Sequence, residues 1–215
     1  MIPRRYERLK QVLNKRQPDL TVITEDVHKP HNISAIIRTC DAVGVFEIHA
    51  INNKSKLPTY STVAKGSEKW VNLQVHNSLE DVTKNFQQQG TRVYAAHLSD
   101  RAIDYRAVDY TKPTAILMGA EKDGVSDLAA NLVDGHIIIP MFGMVESLNV
   151  SVAAAVILFE AQRQRIAAGM YDEISLDRQT FEQTIFEWGH PKIADMYRRR
   201  GEAYPPLAED GSLMK

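Results

Sequence analysis

The sequence predicts an α/β fold in which a mostly parallel sheet is flanked by helices. Short β-branched or apolar runs at residues 20–24, 45–50, 71–75, 92–97, 114–118 and 136–139 have the length and composition of strands. Several are separated by segments of helical periodicity, and strands alternating with such segments imply a parallel sheet with helices on its faces. The third observation is the junction at residues 137–155, where Ile137, Ile138 and Ile139 run through a loop bearing Pro140 and Gly143 into an Ala-rich helix. A strand, a loop and a helix start in that order place backbone groups and short polar side chains at the carboxyl edge of the sheet, where ligands bind.

The elements follow in order. Tyr6, Leu9, Val12 and Leu13 sit at helical spacing in a basic segment that Pro18 closes, which gives a short amphipathic appendage. After the strand at 20–24 comes a polar loop, 26–32, then a helix over 33–43 that Gly44 ends. Strands at 45–50 and 71–75 precede a helix over 79–89 ended by Gly90, and the strand at 92–97 leads into a loop region through Pro113. The strand at 114–118, a helix from about Val125, the strand at 136–139 and a long helix over 148–168, stopped by Gly169, complete the core. Beyond it Phe181, Ile185 and Trp188 fit one more helix, and the last residues read as frayed. The expected organisation is a basic helix at 1–19, a single core domain at 20–169, and a helical extension with a tail at 170–215.

At 215 residues, 44% hydrophobic and 25% charged, the chain has the make-up of an ordinary soluble globular protein. It has no apolar run near the roughly 18 residues a bilayer span needs and no apolar signal core after Arg4, Arg5 and Arg8, so a cytoplasmic protein is expected. Cys40 is the only cysteine, which excludes an intrachain disulfide and a cysteine-rich zinc site and fits a small buried hydrophobe. The His and acidic residues show no metal-ligand spacing, so no metal is expected. Net charge is −1, yet residues 4–16 hold one acid, Glu7, among many bases, and Arg198, Arg199 and Arg200 repeat this near the other end. Such clusters fit an anionic partner or a solvated helix face.

Three segments end strands in polar or glycine-bearing loops: residues 28–38, 118–124 and 140–149. No G-x-G-x-x-G follows an early strand and no G-x-x-x-x-G-K-[ST] is present, which counts against hydride and phosphoryl transfer. The segments NISAIIRT at 32–39, LMGAEKDG at 117–124, and IIPM at 138–141 with SLNVS at 147–151 resemble the three ordered motifs of the SPOUT RNA ribose methyltransferases. The resemblance spans residues 1–170, is weak beyond Met170, and is nearest to the members that methylate a guanosine in the tRNA D-loop. It implies a SPOUT fold with a trefoil-knotted carboxyl half, which rules drawn from ordinary folds would reject. It also implies a homodimer, S-adenosylmethionine as methyl donor and tRNA as partner. Ribosomal RNA, another tRNA position, and a non-catalytic RNA-binding protein on the same fold are the alternatives.

Carried onto matching positions, the resemblance assigns the cofactor pocket to Ala96, Leu98, Met118, Gly119, Ile139, Met141 and Leu148, mostly as backbone groups or apolar walls. It assigns chemistry to Arg38, with Asn32, Glu121, Ser147 and Asn149 around it. A ribose hydroxyl is a poor nucleophile at neutral pH, so its proton must be removed or its developing charge stabilised. Guanidinium stays protonated, with a pKa above about 12, which favours an electrostatic role for Arg38 over that of a literal base. Asn32 also reads as an N-cap of the Arg38 helix, Ser147 and Asn149 as caps of the last core helix, and Glu121 as a first-turn acid or an anchor for Arg38 or the ribose. RNA contacts are expected from Arg8, His31, Arg163 and Arg165, with Arg4, Arg5 and Lys29 as further candidates. Arg163 and Arg165, two apart, cannot share a helix face.

Overall fold

The computed structural model describes residues 1–51 and 69–214, which form two compact units: residues 18–170, and the two chain ends, 1–17 with 171–215. In the larger unit, strands β1 (Leu20–Glu25), β2 (Glu47–Ile51), β3 (Asn72–His76), β4 (Arg92–Ala96), β5 (Ile103–Asp104), β6 (Thr114–Met118) and β7 (Gly135–Ile138) form one sheet in the order β3-β2-β1-β6-β4-β7-β5. Every pairing among them is parallel. In chain order the helices are α1 (Pro3–Leu13), α2 (Pro30–Val43), α3 (Leu79–Gln88), α4 (Asp127–Leu132), α5 (Val150–Ala167), α6 (Arg178–Gly189) and α7 (Pro191–Arg200).

Strand periodicity separates two cores. Val22, Ile48 and Ile116 point to the face covered by Ile33, Ile36 and Ile37 of α2 and Ile157, Leu158 and Ala161 of α5. Their neighbours Ile23, Leu117 and Ala115 point the other way, onto Leu79 and Val82 of α3 and Ala129 of α4. Both β1 and β6 are buried along their whole length; β6 accordingly ends in the apolar run Ala115–Met118, whereas β1 carries Thr21, Thr24 and Glu25 among its apolar residues. Cys40 lies fully buried in the first core.

Several boundaries depart from the sequence reading. Helix α2 starts at Pro30, three residues early, because proline at the first helical position lacks only an N–H that would be unsatisfied anyway. The region up to Pro113 is not all loop, since it holds β5 and a 3-10 turn at Tyr105–Ala107. Helix α4 starts at Asp127, capped by Ser126, and α5 starts at Val150 rather than residue 148.

In the terminal unit, α1 packs against α6, and a second helix, α7, follows where one was expected. The tail is folded, not frayed: Ala208 N–H donates to Ser212 O at 2.8 Å, His190 Nε2 lies 2.9 Å from Gly211 O, and Phe186 stacks on Tyr204 with ring centroids 4.5 Å apart. Gly211 sits at φ 78°, and a Cβ there would come 2.5 Å from the Tyr6 ring, so the tail meets α1 through a position only glycine can fill.

Candidate active site

Parallel strands deliver their following loops to one edge, and here the loops after β4, β6 and β7 enclose a cavity of about 720 Å³. All seven positions expected to bind a cofactor line it: Ala96, Leu98, Met118, Gly119, Ile139, Met141 and Leu148. Ala153 and Ile157 of α5 close its floor. A larger cavity of about 1100 Å³ lies in the terminal unit, lined by residues such as Phe181, Ile185 and Tyr204, but no strand end opens into it.

Gly119 explains how the β6 loop turns so tightly. A Cβ there would stand 2.2 Å from the backbone of Gly124, while Ala120 and Gly124 exchange two hydrogen bonds of 2.9 Å. The resulting narrow turn carries Glu121 at its tip. Glu121 accepts hydrogen bonds from Asn32 Nδ2 at 2.8 Å and from the backbone N–H groups of Lys29 at 3.0 Å and His28 at 3.3 Å. Burial pushes its carboxyl up, but these donors outweigh burial and hold it below the usual glutamate range.

Asn32 is 1% exposed and is the third residue of α2, so it does not cap the helix; Lys29 occupies that position. Its amide instead spans two loops, donating to Glu121 and accepting from Asn149 Nδ2 at 3.2 Å. Asn149 is the N-cap of α5, its Oδ1 accepting from Ser151 N at 2.9 Å and Ser151 Oγ at 2.6 Å. Glu121, Asn32 and Asn149 therefore form one hydrogen-bonded chain across the loops after β6, β1 and β7. Glu121 is neither a first-turn acid nor bonded to Arg38, because its acceptor sites face the 28–32 segment. Ser147 is exposed, lines the cavity and caps no helix.

Arg38 is exposed on α2, does not line the cavity, and makes no hydrogen bond or ion pair with a described residue. His31, Lys29 and Arg8 are likewise exposed. Arg163 faces solvent with its fork closed on Glu160 at 2.8 and 2.7 Å. Arg165 overturns its expectation as an RNA contact. It is fully buried, paired with Asp19, with Nε donating to Tyr110 O at 2.8 Å and Nη2 to Lys112 O at 3.2 Å.

Sequence reasoning passed over one group that lines the cavity and one that braces a loop of the site from behind. His97 lines the cavity, and burial, then the neighbouring His136, hold its imidazole below the ordinary histidine value. Glu25, 4% exposed at the end of β1, accepts from Ser126 N at 3.0 Å and Ser126 Oγ at 2.6 Å. Its position as an acid directly after the β-branched run at 20–24 was the available signal.

The comparisons agree with this geometry. The SpoU rRNA Methylase family matches residues 19–159, and the SpoU rRNA methylase C-terminal family matches residues 163–215. The tRNA (guanosine(18)-2′-O)-methyltransferase of Escherichia coli is 50% identical over 99% of this chain and 94% of its own length. That of Thermus thermophilus is 57% identical over 86% of this chain and 95% of its own. The crystal structure of the Aquifex aeolicus TrmH/SpoU tRNA modifying enzyme superposes with a TM-score of 0.81 at 40% identity, covering 88% of this chain and 97% of that one. The SpoU methyltransferase AviRb from Streptomyces viridochromogenes, in complex with AdoMet, gives 0.63 at 28% identity, covering 70% and 62%. A parallel sheet whose strand-end loops build one cavity, matched over this length and at this identity, makes the chain a member of the SpoU RNA methylase family.

Proposed function

We propose that this protein transfers the methyl group of S-adenosylmethionine to the 2′-hydroxyl of guanosine 18 in tRNA. The observation that carries the reading is the meeting, at one edge of the sheet, of a cavity with both apolar and polar walls and the Glu121–Asn32–Asn149 chain. The cavity fits the cofactor by size, by its apolar walls at Ile139, Met141 and Leu148 for an adenine, and by backbone brought close at Gly119. Bound there, S-adenosylmethionine supplies an electrophilic methyl group. Glu121 and Asn149 hold the buried amide of Asn32 from both sides, which fixes the start of α2 and the direction from which Arg38 leaves that helix. Arg38, charged and unpaired among the described residues, is suited to grip an RNA phosphate and lower the energy of the developing alkoxide. Ser147 at the cavity wall completes the polar set.

The same reading includes a trefoil-knotted carboxyl half and a cytoplasmic homodimer. Support for the dimer comes from α5, where Val152, Phe159 and Ile166, spaced by seven, are 47%, 50% and 57% exposed while the opposite face is core. Among the described residues no helix is long and apolar enough to cross a membrane.

Incubation with methyl-labelled cofactor and a tRNA transcript, followed by nucleoside digestion, tests the activity. The expected product is 2′-O-methylguanosine at position 18, absent when that nucleotide is changed. Arg38→Ala is expected to lower turnover by about 10²–10⁴-fold with most tRNA affinity kept. Label on ribosomal RNA alone, or full turnover in Arg38→Ala, overturns the reading.

A further inference from the structure

The loops after β1 and β6 are joined twice, in opposite directions, by buried or half-buried carboxylates. Glu121, in the β6 loop, reaches back to the segment after β1, taking the N–H groups of His28 and Lys29 and the amide of Asn32. Glu25, the last residue of β1, reaches across to Ser126 at the far end of the β6 loop and takes both its N–H and its hydroxyl. Ser126 Oγ in turn accepts from Ala129 N at 3.1 Å, so the same hydroxyl that Glu25 orients also caps α4. Between the two anchor points lies the turn closed by Ala120 and Gly124, with its base packed too tightly at Gly119 for any side chain. Glu121 thus ties one side of this turn to the segment after β1, and Glu25 ties the residue that follows it, Ser126, to the end of β1.

We propose that Glu25 is a positioning residue for methyl transfer: by holding Ser126 it fixes the 119–126 turn, so that Glu121 meets Asn32 and the wall formed by Gly119, Ala120 and Lys122 keeps its place. Capping α4 alone does not require this carboxylate, because Ser126 Oγ accepts the Ala129 N–H without it. Nor does burial favour an acid at this position; a carboxylate 4% exposed is costly unless its acceptor sites are used, and here two are filled by one residue of the facing loop. The inference rests on the reading of Glu121 and Asn32 as parts of the methyltransferase site.

The test is a double-mutant cycle on the full-length protein with Glu25→Gln, Glu121→Gln and both together, reading kcat and KM for cofactor and tRNA beside the melting temperature. Glutamine keeps the shape of Glu25 but meets at most one of the two Ser126 donors. Glu25→Gln is expected to lower kcat about tenfold while tRNA KM stays within twofold, and the double variant to be no slower than Glu121→Gln alone, since both act through one turn. If Glu25→Gln folds poorly, Ser126→Ala removes the hydroxyl alone, and a loss of about threefold in kcat is expected. Unchanged kcat in Glu25→Gln and Ser126→Ala, or losses that multiply in the double variant, overturns the proposal. A Glu121→Gln enzyme with full turnover instead overturns the reading of the site itself.

Discussion

Two residues of ordinary type behave in ways their chemistry explains once their surroundings are known. His97 lines the cavity with its imidazole held below the ordinary value by burial and by His136. It is therefore neutral at pH 7, which suits a site for a sulfonium. Its folded-state value is depressed, so the native form binds this proton less readily than the unfolded chain. The stability and affinity tied to neutral His97 are intact above about pH 6.5 and are lost as pH falls from there through the lowered value. Calorimetric titration from pH 8 to 5 is expected to show cofactor affinity falling on the acid side in the parent protein, and a flatter profile in His97→Asn. Arg165 carries the opposite lesson. Sequence marks it as basic and near a basic helix end, but a charge does not announce its own burial; the partners Asp19, Tyr110 O and Lys112 O come from segments more than fifty residues away. Arg165→Met is expected to destabilise the fold by on the order of 3 kcal/mol by leaving a carboxylate and carbonyls unpaired, read as a lower melting temperature, with tRNA affinity of the folded fraction unchanged. A loss of affinity without loss of stability would restore it as an RNA contact.

Elements were legible where one face or one period decided them. The parallel strands and the long Ala-rich helix could be read because β-branched runs and 3.6-residue spacing survive any tertiary context, and Gly44 ends α2 at φ 86° as a left-handed cap should. Helix starts were less legible. Asn32 looks like a cap because asparagine favours that role, yet Pro30 begins the helix earlier and frees the Asn32 amide for Glu121 and Asn149. Helix α5 shows a second limit: from Val152 to Phe159 it is apolar without interruption, which marks a segment buried on every side, but in one chain Val152 and Phe159, and Ile166 one heptad further on, remain exposed. Phe159→Glu places a charge at the centre of that stripe. Sedimentation velocity is expected to show a dimer for the parent protein and a monomer of unchanged melting temperature for the variant. A parent protein that sediments as a monomer removes the dimer from the proposed function.

At the scale of the molecule, the placement of charge matters more than its sum. A net charge of −1 says nothing about RNA, because affinity follows the phosphates neutralised in one patch. Much of the basic charge in the terminal unit is already engaged: Lys10 with Glu7, Arg178 with Glu182, Arg198 with Asp195. Arg4, Arg5 and Arg8 are exposed on α1 and make no ion pair with a described residue, while Leu9 and Leu13 of the same helix are buried. The apolar stripe anchors the helix and leaves these three guanidiniums to solvent, a division that sequence periodicity already foretold, although the folding together of the two chain ends was not legible from either end alone. The affinity for tRNA is accordingly expected to fall steeply between about 50 and 200 mM salt, and each phosphate contact removed by Arg4→Ala or Arg8→Ala to reduce the slope of log K against log salt by about 1. Filter binding across that range distinguishes the outcomes. Parallel lines for the parent and a variant combining Arg4→Ala with Arg8→Ala would mean that α1 serves the fold and the RNA is held elsewhere, whereas a shallower line for that variant with the same melting temperature assigns the phosphate contacts to this helix.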